Sequence, residues 1–498
     1  MAHAPPARPP CGARAGCRFL DSGAMHRRRL LGLLLVAAGL MLVVSPEAAL
    51  AHGFGGRQTL PIPRWLFGWG ASVVLVASFV GLAVLWPTPR LEQPSERRVA
   101  GVPRILDPLA GAIGLAIFVL VVYAGFAGSQ TTQNNFAPTV VFYLFWVGLA
   151  VASPIVGDVF KALNPWRAAA RAAAWVAGKA SRGGLPTPLP YPQKLGRWPA
   201  AIGILAFAWV ELAYTGRGDP SNLAVLALVY AAVQFVGMSL YGIETWNRYG
   251  DGFGVYYGLL ARISPLRWTR GALYVRKPLS GLTTLDPVPG TVALACVIIG
   301  TTSFDGFSNG PAWSNLAPDL TDLWHSVGFS QATALELAFT IGLLGAVLIV
   351  AGLYRLGVIG MQSVDPRDPT TTQALAARFA HSLVPIGLAY VIAHYFSALG
   401  DEGQRIFYLI SDPLGNGSNI FGTSSTVVDY TWISANAIWY VQVAALVIGH
   451  IAGLVLAHDR ALVSFGDSRV ATRSQYWMLA VMIAFTSLGL WLLSAANS

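Results

Sequence analysis

Every second connection between the apolar stretches of this chain carries nearly all of its Lys and Arg, and that alternation leaves room for one kind of fold. About ten stretches, approximately 65–86, 106–126, 137–157, 199–216, 222–242, 289–304, 331–354, 375–399, 434–457 and 476–494, are apolar. Each is close to the ~20 residues that carry a helix across ~30 Å of hydrocarbon. With 11% of the 498 residues charged and 54% hydrophobic, no soluble packing would keep the apolar surface from water. The expected fold is an all-α, polytopic transmembrane helix bundle of about ten spans.

The basic residues orient it. Arg90, Arg97, Arg98 and Arg104 follow the first span, and Lys161, Arg167, Arg171, Lys179, Arg182, Lys194 and Arg197 the third. The connections after spans five, seven and nine are also basic, whereas 127–136 carries no charge and 305–330 holds Asp305, Asp319 and Asp322 without Lys or Arg. Basic loops stay in the cytosol, so both mature termini are expected outside a plasma membrane. The net charge of +10 follows from this bias. It predicts contact with a lipid bilayer and anionic headgroups, and no nucleic acid.

The N-terminus reads as a targeting segment. Met25-His26-Arg27-Arg28-Arg29 is a basic n-region, Leu30 to Val44 an apolar h-region, and Ala49-Leu50-Ala51 a small-residue cleavage site. Residues 1–51 are thus an upstream extension and signal peptide, with Met25 an alternative start, and 52–498 a single transmembrane helical domain; an uncleaved signal anchor is the other reading. Once Cys11 and Cys17 are removed, Cys296 stands alone and no disulfide can form. The long connections 158–198 and 243–288 are Gly- and Pro-rich in part and read as linkers or short turns, with Phe253 to Arg262 as a short amphipathic helix in the membrane surface.

Polar groups inside spans are costly in hydrocarbon, so they mark candidate sites. In span eight Tyr390, His394, Ser397 and Asp401 share one helical face; Glu336 in span seven is flanked by Thr333 and Thr340, and Glu211 in span four by Tyr214. By loop orientation Glu211, Glu336 and His394 occupy one outer layer. Such a set suits a divalent metal or a proton relay, and equally well three separate packing contacts. Nearer the cytosol, His381 and His450 read as structural: Gly449 and Gly453 allow close helix approach, and Pro385 frees a carbonyl. The mature N-terminal His52 offers an imidazole and an amine to a metal such as copper. Gly306-Phe307-Ser308-Asn309-Gly310 matches the nucleophile-elbow pattern, with Asp319, Asp322 and His325 downstream, but a span stands where the elbow needs a strand. A turn leading to a short interfacial helix at 317–327 is the preferred reading.

Several strings carry a resemblance. His52-Gly53-Phe54-Gly55-Gly56-Arg57-Gln58-Thr59-Leu60-Pro61-Ile62-Pro63, Asn164-Pro165-Trp166-Arg167, Phe304-Asp305-Gly306-Phe307-Ser308, His394-Tyr395-Phe396-Ser397 and Ser411-Asp412-Pro413-Leu414-Gly415 resemble a largely actinobacterial family of polytopic membrane proteins labelled fenitrothion hydrolase. The likeness runs from about residue 52 to the C-terminus. It implies hydrolysis of an organophosphate triester, a small-molecule substrate, at an outward-facing site, but brings no catalytic motif. A metal held by Glu211, Glu336 and His394 would polarise the phosphoryl oxygen and activate water. The competing expectation is a secondary transporter using the same polar residues. A partner subunit is compatible with either.

Overall fold

The computed structural model describes residues 64–93, 95–181, 186–365 and 370–496; the expected signal peptide, its cleavage site and the leader from His52 lie outside them. The described chain is mostly helical, and each of the ten apolar stretches falls on a helix or an interrupted helical run. In chain order the helices used below are α1 (Arg64–Leu85), α2 (Leu106–Ala127), α3 (Phe136–Val156), α4 (Pro165–Ala180), α5 (Trp198–Leu212), α6 (Pro220–Tyr241), α7 (Ile243–Tyr249) and α8 (Gly252–Leu260). They continue with α9 (Thr291–Ser308), α10 (Pro311–Ser326), α11 (Gln331–Gln362), α12 (Thr372–Leu409), α13 (Ala435–Phe465) and α14 (Ser468–Ala496). Among the described residues seven, α2, α3, α6, α9, α11, α12 and α13, are long and apolar enough to cross a membrane, as a multi-pass membrane protein requires. Trp69–Leu85 and α5 are shorter apolar helices.

Local sequence sets the boundaries. The Ser330 and Ser434 hydroxyls accept from the backbone N–H of Thr333 and Ala437, capping α11 and α13. Pro220 and Pro311 open α6 and α10 at the one helical position where a missing N–H costs nothing. Beyond α13, Gly466 turns the chain at φ +65°, a left-handed backbone that other residues rarely adopt.

The most enclosed helix is α9. Of its apolar window 72% is buried, against 22% for α11 and 28% for α2, so α9 is surrounded by protein while α11 and α2 turn a large face outward. It packs on α5, α11, α12 and α14. One core joins α1, α9, α11, α12, α13 and α14 through residues such as Ile299, Val358, Ile386 and Phe485. A second, rich in aromatic rings, joins α3, α5, α8, α9 and α12 around Trp146, Phe253, Tyr256 and Tyr257. The small-residue contact expected of α13 is present. A Cβ on Gly449 would stand 2.3 Å from the Ala389 Cβ and 2.7 Å from the Pro385 carbonyl, and one on Gly453 2.8 Å from the Ser382 carbonyl.

Three expectations about the connections are corrected. The bundle is not purely α: β1 (Glu96–Gly101), β2 (Leu266–Thr269) and β3 (Ala272–Arg276) form an antiparallel sheet in the order β1-β3-β2, with Glu96 opposite Arg276. The 158–198 and 243–288 connections are not mere linkers, since they hold α4, α7 and α8. And α8 does not lie on a membrane surface: Phe253, Val255, Tyr256, Tyr257, Leu259 and Leu260 are all buried, because only Gly252, Gly254 and Gly258 break its bulky surface and none offers a polar face to water.

The string Asn164-Pro165-Trp166-Arg167 locks these pieces together. Asn164 caps α4, its Oδ1 accepting from the Arg167 N–H, while its Nδ2 donates to Asn247 Oδ1 and Asp251 Oδ2, each at 2.9 Å. Trp166 Nε1 and the Tyr230 hydroxyl also donate to Asp251, both at 2.8 Å. Burial pushes the Asp251 carboxyl above the ordinary carboxylate range, against the pull of those donors. A second lock closes on Asp459 near the end of α13. Trp86 Nε1 and the backbone N–H groups of Arg90, Leu91 and Glu92 all donate to its carboxylate at 2.7–3.1 Å, and Arg460 pairs with Glu92 at 2.6 Å.

Candidate functional site

Where α9 ends, Asp305 meets His394 of α12: His394 Nε2 lies 2.9 Å from Asp305 Oδ2, with the two side chains 23% and 14% exposed. The other carboxylate oxygen, Oδ1, has Asn309 Nδ2 at 3.4 Å. With Nε2 committed to the carboxylate, Nδ1 is the imidazole nitrogen left for a water or ligand.

Glu211, in the last turn of α5, interacts with Asp305, with the Tyr395 hydroxyl and with the Trp146 indole. Tyr395 interacts with both carboxyl groups. Yet Glu211 Oε2 and Trp146 Nε1 are both buried without a completed hydrogen bond, an acceptor and a donor side by side that fall short of bonding geometry. Trp146 belongs to Thr139–Gly148, the middle of α3, which is wound as a π-helix. Single π turns of this kind recur at functional sites. The electric field of Arg217, in the turn after α5, reaches both Glu211 and Asp305. The assembly is thus a carboxylate–imidazole pair with a second carboxyl, a phenol and an indole around it, drawn from α3, α5, α9 and α12.

Of the residues expected to form the site, Glu211 and His394 come together, with Asp305 as the link between them. Glu336 is engaged elsewhere: its Oε1 accepts from the Thr215 N–H at 3.0 Å and the Thr215 hydroxyl at 2.6 Å, stapling α11 to the turn after α5. Beside it Trp209 Nε1 donates to the Thr340 hydroxyl at 2.8 Å. His52 lies outside the described residues. Among the described residues, no three His, Cys, Asp or Glu side chains are placed to hold one metal ion.

The polar face of α12 divides among separate partners. The Tyr390 hydroxyl donates to the Phe485 carbonyl at 2.7 Å, His394 turns to Asp305, and Asp401 accepts from Trp432 Nε1 at 2.7 Å. His381 and His450 bond through Nδ1 to the Arg378 and Leu446 carbonyls within their own helical runs, the second where Gly449 and Gly453 bring α13 against α12. The elbow-like string is no turn in its first half. Gly306, Phe307 and Ser308 complete α9, the Ser308 hydroxyl donates to the Asp305 carbonyl, and His325 Nδ1 is bonded to the Phe329 carbonyl.

Asp305, Tyr395 and Trp146 are the members that sequence reasoning passed over as site residues. The apolar window of span six closes at 304, one residue short of Asp305, whereas the helix runs on to Ser308. No family model, curated protein or solved structure matches the chain.

Proposed function

We propose that this chain is a plasma-membrane hydrolase of neutral phosphotriesters, with His394 as general base oriented by Asp305. The observation that carries the reading is the 2.9 Å contact between His394 Nε2 and Asp305 Oδ2 beside a buried Glu211. In this scheme Nε2–H donates to Asp305, and Nδ1 takes a proton from water as the oxygen attacks phosphorus. The bond from phosphorus to the leaving oxygen breaks, and the proton taken by the imidazole passes to that oxygen. Tyr395 and Trp146 supply the donors that the developing phosphoryl charge would need. A neutral, apolar triester also suits a site set among apolar helices. The resemblance of the strings around Asp305 and His394 to fenitrothion hydrolases supports the same substrate class. The metal-dependent version requires Glu336, which Thr215 already occupies, so proton chemistry is the better supported route.

The topology belonging to this reading has ten crossings, a cleaved leader ending at Ala51, and the mature N-terminus outside, supported by the alternation of basic connections. A second reading, a proton-coupled transporter, draws on Glu211 Oε2, a buried acceptor without a donor inside a helix bundle. One experiment separates them: purified protein assayed with a chromogenic nitrophenyl phosphotriester, then reconstituted and tested for pH-driven solute flux. Hydrolysis lost in His394→Ala and kept in Glu336→Gln supports the enzyme. Flux lost in Glu211→Gln with no turnover by the unaltered protein refutes it in favour of the transporter.

A further inference from the structure

A cavity of about 1190 Å³ opens among the connections between α2, α4, α8 and the small sheet, and none of the Asp305 cluster lines it. Nine Lys or Arg line it against four Asp or Glu. The four carboxylates do not neutralise the nine cations. Asp107 is shared by Arg167 and Arg171, Glu244 is taken by Arg167, and Glu96 serves Arg267 and Arg276. Asp158 is raised above the ordinary carboxylate range by burial, which weakens its claim to a charge.

That leaves two guanidinium groups, one buried and one half-buried, held by neutral oxygens alone. Arg197 is 2% exposed; its Nη1 donates to the Asp286 carbonyl and the Thr291 hydroxyl, and its Nε is buried with no acceptor. Arg262 Nη1 donates to the Gly281 carbonyl and the Thr284 hydroxyl. Neither has a carboxylate partner among the described residues, and Asp286, the nearest candidate, is ion-paired to Arg248. Burial and the mutual repulsion of Arg197, Arg262 and Arg248 draw the Arg197 pKa down to about 10, so it is still charged at neutral pH. A buried charge without a counter-charge is costly, and an unfilled N–H in the same group adds to that cost. An anion in the cavity would meet both demands. Guanidinium groups present paired N–H donors that match phosphate oxygens bidentately.

We propose that this cavity is a phosphate-binding site, with the buried Arg197 and the half-buried Arg262 as its donors and the exposed Arg270 at its rim. The shared chemistry is a phosphate mono- or diester, supplied either by a soluble phosphate compound or by the headgroup of an anionic phospholipid. The site stands independently of the hydrolase reading, because none of its residues belongs to the Asp305 cluster.

The test uses the full chain purified in detergent at fixed ionic strength. Inorganic phosphate is titrated by calorimetry with chloride as the control. Short-chain phosphatidylglycerol, with phosphatidylcholine as control, is followed by native mass spectrometry. The unaltered protein should bind at least one probe over its control, and the double variant Arg197→Gln/Arg262→Gln should bind it at least tenfold more weakly. Arg262→Lys, which keeps the charge but not the fork, should fall between. Phosphate binding alone assigns a soluble ligand, and phosphatidylglycerol alone assigns the headgroup. Should the double variant fail to fold, Arg270→Gln, at an exposed position, should still weaken binding several-fold. Failure of the unaltered protein to bind either probe, or binding undiminished in every variant that folds, overturns the proposal.

Discussion

Replacing Asp305 and His394 singly and together measures the contact on which the candidate site depends. Asp305→Asn keeps an oxygen that can accept from Nε2 but removes the charge, while His394→Ala removes the donor and leaves the carboxylate with Asn309 and Tyr395. A hydrogen bond to a charged group contributes about 1.5–3 kcal/mol, and breaking a fully buried pair costs about 3–5 kcal/mol. At 23% and 14% exposure the pair sits between a surface and an interior contact, so water recovers part of the loss. We expect about 2–3 kcal/mol for His394→Ala, ~1.5 kcal/mol for Asp305→Asn, and a coupling energy near 1.5 kcal/mol in the double variant, since the second change finds nothing left to break. Unfolding in mixed micelles at increasing denaturing detergent, followed by tryptophan fluorescence, gives all three values. Additive single effects, with coupling below ~0.5 kcal/mol, would show that the two groups do not act as a unit.

Further outcomes follow from other contacts. Gly449→Val should destabilise by about 2 kcal/mol or more and lower the midpoint of thermal unfolding, because the new Cβ meets Ala389 at 2.3 Å and a backbone carbonyl that cannot move aside. Burial raises Asp158 above its ordinary 3.8, so the folded state holds its proton more tightly than the unfolded chain. Its contribution to stability is therefore complete below that value and is lost as pH rises through the raised one. Asp158→Asn, which still caps the short helix Val159–Leu163 through the Lys161 N–H, should flatten the decline of the unfolding midpoint with pH; an unchanged slope counts against it. A cysteine in place of Ser129 should react with an impermeant thiol reagent from outside the cell and one in place of Ala180 should not; reversed labelling would invert the charge-based orientation.

The helices were legible because their signal is length and apolar composition, both local. The site was legible in half. Glu211 and His394 stood out as costly polar groups within apolar runs, whereas Asp305 fell just past the window that defined its span and read as part of an acidic loop. Glu336 looked equivalent to Glu211 by depth, but its partner, Thr215, lies 121 residues away and no periodicity joins them. The π winding around Trp146 leaves no mark in composition, since the stretch is as apolar as an ordinary helix. Asn164 entered only within a string carrying the resemblance, and its link to Asp251 spans 87 residues and depends on the whole packing. The burial of α8 was hidden because a glycine-spaced aromatic run looks alike on a membrane surface and in a core.

The Asp459 lock also governs the order in which the protein can be made. Trp86 Nε1 waits for an acceptor 373 residues downstream, and the N–H groups of Arg90, Leu91 and Glu92 wait almost as long. During synthesis α1 is thus threaded early and closed onto Asp459 late, when α13 emerges, and until then these four donors have only water or a chaperone as partner, although the neighbouring β1 finds β3 earlier. A chain truncated before residue 459 would leave the Trp86 to Glu92 stretch without its acceptor and more open to proteolysis, which makes it a natural checkpoint for incomplete products.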